Sequence, residues 1–205
     1  MSDSASPAAV DDRKRALRRE VRVRLRALPV DESARAGRMA AEQLAAFLAS
    51  QVPPGPVALF ASRPFEIDTR PLDDAVRAAG RVRLLPAIAD DHLVFRAVPL
   101  DVRAADLPLD RFDIPTPQPS APVVPLLAAA LVVVPACAVD GFGRRLGWGK
   151  GYYDRALAPR CADGRARGTI ALVLDVQLVS EVPVGPGDAL IERLWTPANG
   201  LTLVP

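Results

Sequence analysis

The chain has 205 residues, of which 50% are hydrophobic and 24% charged, with a formal net charge of +2. That suits one domain with a real core, and a charge this small argues against nucleic-acid or acidic-membrane partners. Two cysteines, Cys137 and Cys161, are too few for a disulfide framework and fit a reducing, cytoplasmic compartment. The first residues lack a secretory h-region, and the longest apolar stretch, 123–139, is broken by Pro125 and Pro135.

A small, polar tail over 1–10 is expected to be disordered, followed by a single domain over 11–205. Leu17, Val21, Leu25 and Leu28 recur at helical spacing, predicting an Arg-rich amphipathic helix over 11–28 that Pro29 ends. Its Lys14 and Arg18 lie one turn apart and project together, either as a solvated basic face or as a clamp on a polyanion. Those two positions matter because Lys14 and Lys150 are the only lysines in the chain. A second helix is expected over 32–50, capped by Asp31, with Met39, Leu44, Phe47 and Leu48 inward.

The turn VPPGP then leads to a strand, VALF, over 57–60, and a loop carrying Glu66 leads to a helix ending at Gly80. Glu66 follows the carboxyl end of a strand, where open α/β sheets gather ligand groups, although an exposed loop glutamate is more often plain surface. Strands are expected over 82–85 and 92–98, with His92 as an exposed turn residue of no assigned role. The Pro-rich segment 99–125 has no periodicity and reads as a long loop, a candidate lid. Further strands are expected over 131–134, 168–174, 190–195 and 201–204. This β/α alternation predicts an α/β fold, a three-layer α/β/α Rossmann-like sheet with an N-terminal helical pair packed against it.

The stretch LVVVPACAVDGFGRRLGWGKGYYDRAL, 131–157, carries the chemistry. A buried strand leads into a loop with five glycines, three basic side chains and an aspartate, and the loop leads into a helix. That order holds phosphates in α/β proteins. It is not a P-loop, because Arg144 and Gly151 stand where Gly and Ser/Thr are required, and the strict alternation of Gly147, Gly149 and Gly151 is not the dinucleotide fingerprint. Alternating glycines still let backbone N–H groups approach one anion, and Arg145 and Lys150 add charge-assisted bonds. Asp154 is either a helix-dipole residue or, one turn from a phosphate cradle, a ligand for Mg²⁺. Trp148, Tyr152 and Tyr153 suggest a platform for a flat ring.

The sequence CAVDGFGRRLGWGKGYYDRAL resembles the motif aFD-x-x-G-x-RLG-x-G-x-GYYD-x-x-L of the 5-formyltetrahydrofolate cyclo-ligases, also called methenyltetrahydrofolate synthetases. Three further elements are similar to that family: Lys14, Leu17 and Arg18; Glu66, Asp68 and Thr69; and Gln177, Pro183, Asp188, Thr196 and Gly200. The resemblance implies that ATP contacts Lys14, Arg18 and the run Arg145, Leu146, Gly147, Trp148, Gly149, Lys150, Gly151, Tyr152, Tyr153. It implies that Ala61, Glu66, Trp148, Tyr152 and Tyr153 contact 5-formyltetrahydrofolate, with or without a polyglutamate tail. It further implies that Asp154 and Asp188 bind Mg²⁺, and that Arg145, Lys150 and Tyr153 act in catalysis; a monomer is expected. The implied reaction has ATP phosphorylate the formyl oxygen, after which N10 attacks the activated carbon and phosphate leaves. The chain departs from the family at Thr116, where Glu is common, at Gly187, where His is common, and at Ala61, commonly a larger apolar residue. The competing readings are a nucleotide-binding regulatory module without this chemistry and an ATP-dependent enzyme acting on another N-formyl substrate.

Overall fold

The computed structural model describes residues 6–205. Helix α1 (Pro7–Arg26) begins earlier than the expected start at Asp11, so 7–10 are helical rather than disordered; the rest of that predicted tail, 1–5, lies outside the described residues. The reason is local: the Ser6 hydroxyl accepts from the Ala9 N–H at 3.3 Å, and Pro7 suits the first helical position. Helix α2 (Glu32–Gln51) matches its expected span, but the Asp31 side chain makes no capping bond. Asp31 sits in helical backbone (φ −89°, ψ −6°), and its carbonyl, not its carboxylate, receives the Arg35 N–H. Leu44 and Leu48 are buried, while Met39 and Phe47 pack half-buried against the same core.

The central sheet is built from β1 (Val57–Ala58), β2 (Arg83–Ala89), β3 (His92–Val98), β4 (Leu131–Val134), β8 (Arg165–Leu172), β10 (Leu190–Thr196) and β11 (Gly200–Leu203). Their order is β11-β10-β8-β4-β1-β2-β3, parallel from β10 to β2 and antiparallel at both edges, and the short β7 (Cys161–Ala162) pairs with β8. Alternation divides the side chains between two cores. Val57, Leu59, Leu131, Val133, Ile170 and Leu172 face α1, α2 and α3 (Arg70–Ala78). Ala58, Val132, Val134, Ala171 and Val173 face the other side, where Leu157 of α4 (Tyr152–Leu157) and Leu126 cover them. The LVVV run is at most 2% exposed, and each such side chain contributes about 1.5–3 kcal/mol by burial. The three-layer expectation therefore holds, with one thin layer.

Beyond the carboxyl ends of β4 and β8, the chain forms a second sheet from β5 (Ala138–Asp140), β6 (Arg145–Leu146) and β9 (Leu178–Val179). The first half of the predicted glycine loop is thus a hairpin. Its turn is tied by the fully buried Asp140, whose Oδ1 accepts from the N–H groups of Phe142 and Arg144 at 3.0 and 3.1 Å. Oδ2 accepts from the Val182 N–H at 2.9 Å, pinning the distant 182–188 segment to the same turn. Gly143 has φ +80°, and a Cβ there would meet the Ile191 carbonyl. The segment 99–125 is also ordered. The buried Arg83, ion-paired with Asp73 at 2.8 Å, donates to the carbonyls of Pro99 and Val102, and Arg96 donates to that of Ala121. Among the described residues, no helix is long and apolar enough to cross a membrane.

Candidate functional site

A cavity of about 670 Å³ opens at the carboxyl ends of the parallel strands, where this class of sheet binds ligands. Five segments wall it: α1 through Arg22, Leu25 and Arg26; the loop 60–66; the β2–β3 hairpin; residues 110–116; and the glycine loop with the first turn of α4.

The glycine loop narrows to 147–151, where Gly149 (φ +112°) and Gly151 (φ +65°) take left-handed backbone that other residues avoid. Gly147 has ordinary backbone, and its missing Cβ instead makes room for the Arg145 guanidinium, 3.0 Å from where that Cβ would stand. The Arg145 side chain, 2% exposed, reaches the cavity floor and donates to Asp154 Oδ1 at 2.5 Å. It lies 5.8 Å from the Tyr153 ring centroid. The Tyr153 hydroxyl has no partner among the described residues, and burial, with Glu66 adding and Arg145 opposing, pushes its pKa up, so it stays a proton donor. Tyr152 crosses to the hairpin, its hydroxyl donating to Asp91 at 2.9 Å.

Glu66 faces the loop from the opposite wall and is only 5% exposed. Its Oε1 accepts from the Trp148 indole N–H at 2.6 Å, and its Oε2 from the Arg63 N–H at 2.8 Å. Burial raises its pKa; those two hydrogen bonds and the Arg63 charge oppose the rise. Arg22 lies over the Trp148 ring at 5.7 Å. Cations dominate the walls. Arg22, Arg26, Arg63, Arg111 and Lys150 all line the cavity with no carboxylate partner among the described residues, a field suited to a polyanion.

The structure brings Ala61, Glu66, Arg145, Gly147, Trp148, Lys150, Gly151, Tyr152, Tyr153 and Asp154 to one cavity. Lys14, Arg18, Gly149 and Asp188 lie outside its lining, behind the loop. Arg18 donates to the Gly147 carbonyl at 2.8 Å and stands 3.7 Å from where a Gly149 Cβ would be; Lys14 pairs with Asp188 at 2.5 Å. Leu146 does not line the cavity: its side chain is buried in the core and its carbonyl accepts from the Cys137 N–H. Sequence reasoning gave no role to Arg22, Arg111 or Phe112, whose only local signal was an Arg on a helix stripe or an aromatic in a Pro-rich loop. Two departures from the motif, Ala61 and Thr116, line the cavity, whereas Gly187 does not.

Asp154 Oδ1 accepts from Arg145, and Asp188 Oδ2 accepts from Lys14 and from the Gly185 N–H. The other oxygen of each carboxylate has no hydrogen-bond partner among the described residues, and no group of three or more candidate ligands occurs among them. The two carboxylates do not make an all-protein cage; a free carboxylate oxygen is what Mg²⁺ ordinarily takes alongside water and substrate phosphates, and of the two aspartates only Asp154 lines the cavity.

Residues 10–197 match the model of the 5-formyltetrahydrofolate cyclo-ligase family. The chain is 30% identical to the 5-formyltetrahydrofolate cyclo-ligase of Escherichia coli over 184 residues, 87% of this chain and 97% of that one. A shorter match, 39% identical over 85 residues, relates it to the enzyme of that name from Mycolicibacterium smegmatis and covers 42% of each chain. The solution structure of 5,10-methenyltetrahydrofolate synthetase from Aquifex aeolicus is similar with a TM-score of 0.73 and 26% identity, covering 93% of this chain and 92% of that one.

Proposed function

The chain belongs to the 5-formyltetrahydrofolate cyclo-ligase family, and from that premise we propose that the cavity between the glycine loop and Glu66 is its active site. The reaction is the ATP-driven conversion of 5-formyltetrahydrofolate to 5,10-methenyltetrahydrofolate. One observation carries the assignment. Five cations with no carboxylate partner among the described residues, Arg22, Arg26, Arg63, Arg111 and Lys150, line the same 670 Å³ cavity as a buried, hydrogen-bonded carboxylate and the rings of Trp148 and Tyr152, so that an anionic nucleotide and a flat heterocycle both find partners there.

We assign the phosphates to Lys150, Arg145 and the backbone of 147–151, with Lys14 and Arg18 supporting that loop from behind. The folate goes to Glu66, Ala61 and the aromatic faces of Trp148, Tyr152 and Tyr153. Asp154 and Asp188 would hold Mg²⁺, which when bound neutralises phosphate charge. The γ-phosphoryl group passes to the formyl oxygen, breaking its bond to the β-phosphate oxygen and releasing ADP. N10 then bonds to the activated carbon and loses its proton as the C–O bond breaks, and phosphate departs with the original formyl oxygen. Such a transfer needs alignment and charge stabilisation rather than a nucleophilic side chain, which the Arg145 floor and the Tyr153 donor supply. Consistent with that, burial pushes the Cys137 pKa up to about 11, leaving a poor nucleophile. We further assign the protein to a reducing cytoplasm, as a monomer acting on a folate with or without a polyglutamate tail; two free cysteines support the compartment. Substrate labelled with ¹⁸O at the formyl group tests the mechanism: one labelled oxygen should appear in phosphate per turnover, and label released into water would refute phosphorylation of the formyl oxygen.

A further inference from the structure

Glu66 is the residue assigned to the folate, yet little of it is open to solvent. It is 5% exposed, and both carboxylate oxygens are already engaged, Oε2 by a backbone N–H of its own loop and Oε1 by the Trp148 side chain. The first partner belongs to the turn that builds the site. The second comes from a segment 82 positions away in sequence, carried on the glycine loop. Trp148 is half-buried, lines the cavity, and is held by Arg22 over its ring and by Arg18 on the neighbouring Gly147 carbonyl. It also occupies a position that the family motif leaves open.

We propose that Trp148 is a positioning residue that competes with the substrate for Glu66: its indole N–H satisfies the carboxylate in the empty enzyme and must yield when a folate N–H group arrives. The proposal rests on the assignment of Glu66 to the folate. An internal hydrogen bond to a buried carboxylate stabilises the empty state and is lost on binding, so it lowers the affinity for the ligand that replaces it. Its effect is to hold Glu66 in the geometry a donor needs while setting a weaker dissociation constant than the site would otherwise have.

Trp148→Phe keeps a ring over the cavity and removes the N–H. Calorimetric titration of 5-formyltetrahydrofolate into the full-length variant should show binding tighter than wild type by about tenfold, equivalent to about 1.4 kcal/mol. In a Glu66→Ala background the same substitution should leave affinity unchanged, since the competition runs through the carboxylate. A purely structural role for the indole would lower the melting temperature and would not tighten binding. Equal or weaker binding by Trp148→Phe, or tightening that persists without Glu66, overturns the proposal. Failure of both wild type and variant to bind the folate would overturn the assignment beneath it, a distinct result.

Discussion

The Arg145–Asp154 pair forms the floor of the cavity, and its removal has a calculable consequence. Arg145 is 2% exposed and Asp154 24% exposed on their side chains. With Asp154→Ala, the guanidinium keeps only the Pro135 carbonyl at 3.4 Å, while its Nε already has no partner among the described residues. Leaving one member of a buried pair uncompensated costs about 3–5 kcal/mol, and the partial exposure of Asp154 admits water and favours the lower end. At roughly 2–4 °C per kcal/mol for a chain of this size, the melting temperature should fall by about 6–12 °C. Asp154→Asn retains an acceptor oxygen and should lose about half as much. Because the freed guanidinium faces the proposed phosphate site, added pyrophosphate should raise the melting temperature of Asp154→Ala more than that of wild type. Thermal unfolding by circular dichroism reads all three. A fall of less than about 2 °C, or no extra response to pyrophosphate, would refute the reading of Arg145 as a buried charge that Asp154 compensates.

Lys150 is exposed at the cavity rim with no acidic partner among the described residues, so Lys150→Ala should leave the melting temperature within about 1 °C and raise KM for ATP about tenfold in steady-state kinetics. The buried Glu66 carboxyl has a pKa above its ordinary 4.5, so the folded protein holds that proton to higher pH than the unfolded chain does. The associated stability is present below the ordinary value and is lost as pH rises through the folded-state value. Glu66→Gln does not titrate there, so the melting temperature of the variant minus that of wild type should increase between about pH 4 and pH 8. A difference that is flat with pH would show that Glu66 titrates normally.

Much of the fold follows from local pattern. The apolar LVVV run, the alternation that splits two cores, and the spacing of Val21 and Leu25 are short-range signals of burial, and each was legible. The start of α1 was misread because Asp11 and Asp12 look like a helix entry, while Ser6 and Pro7 make one earlier. Within the site, the glycine spacing marked a tight loop, but not that Asp140 folds its first half into a hairpin, because the bond to the Val182 N–H spans 42 positions. The Trp148–Glu66 contact and the arrival of Phe112 and Thr116 at the cavity have the same origin. Arg83 and Arg96 order the Pro-rich segment through backbone carbonyls, and carbonyls leave no trace in residue identity.

The most direct measurement follows the absorbance of the 5,10-methenyl product and the release of ADP together, in one reaction of purified protein with 5-formyltetrahydrofolate, ATP and Mg²⁺. The cavity described here predicts that the chromophore grows only with all three present and that ADP appears with it one for one. ADP release without chromophore, or binding of ATP with no turnover, would contradict it.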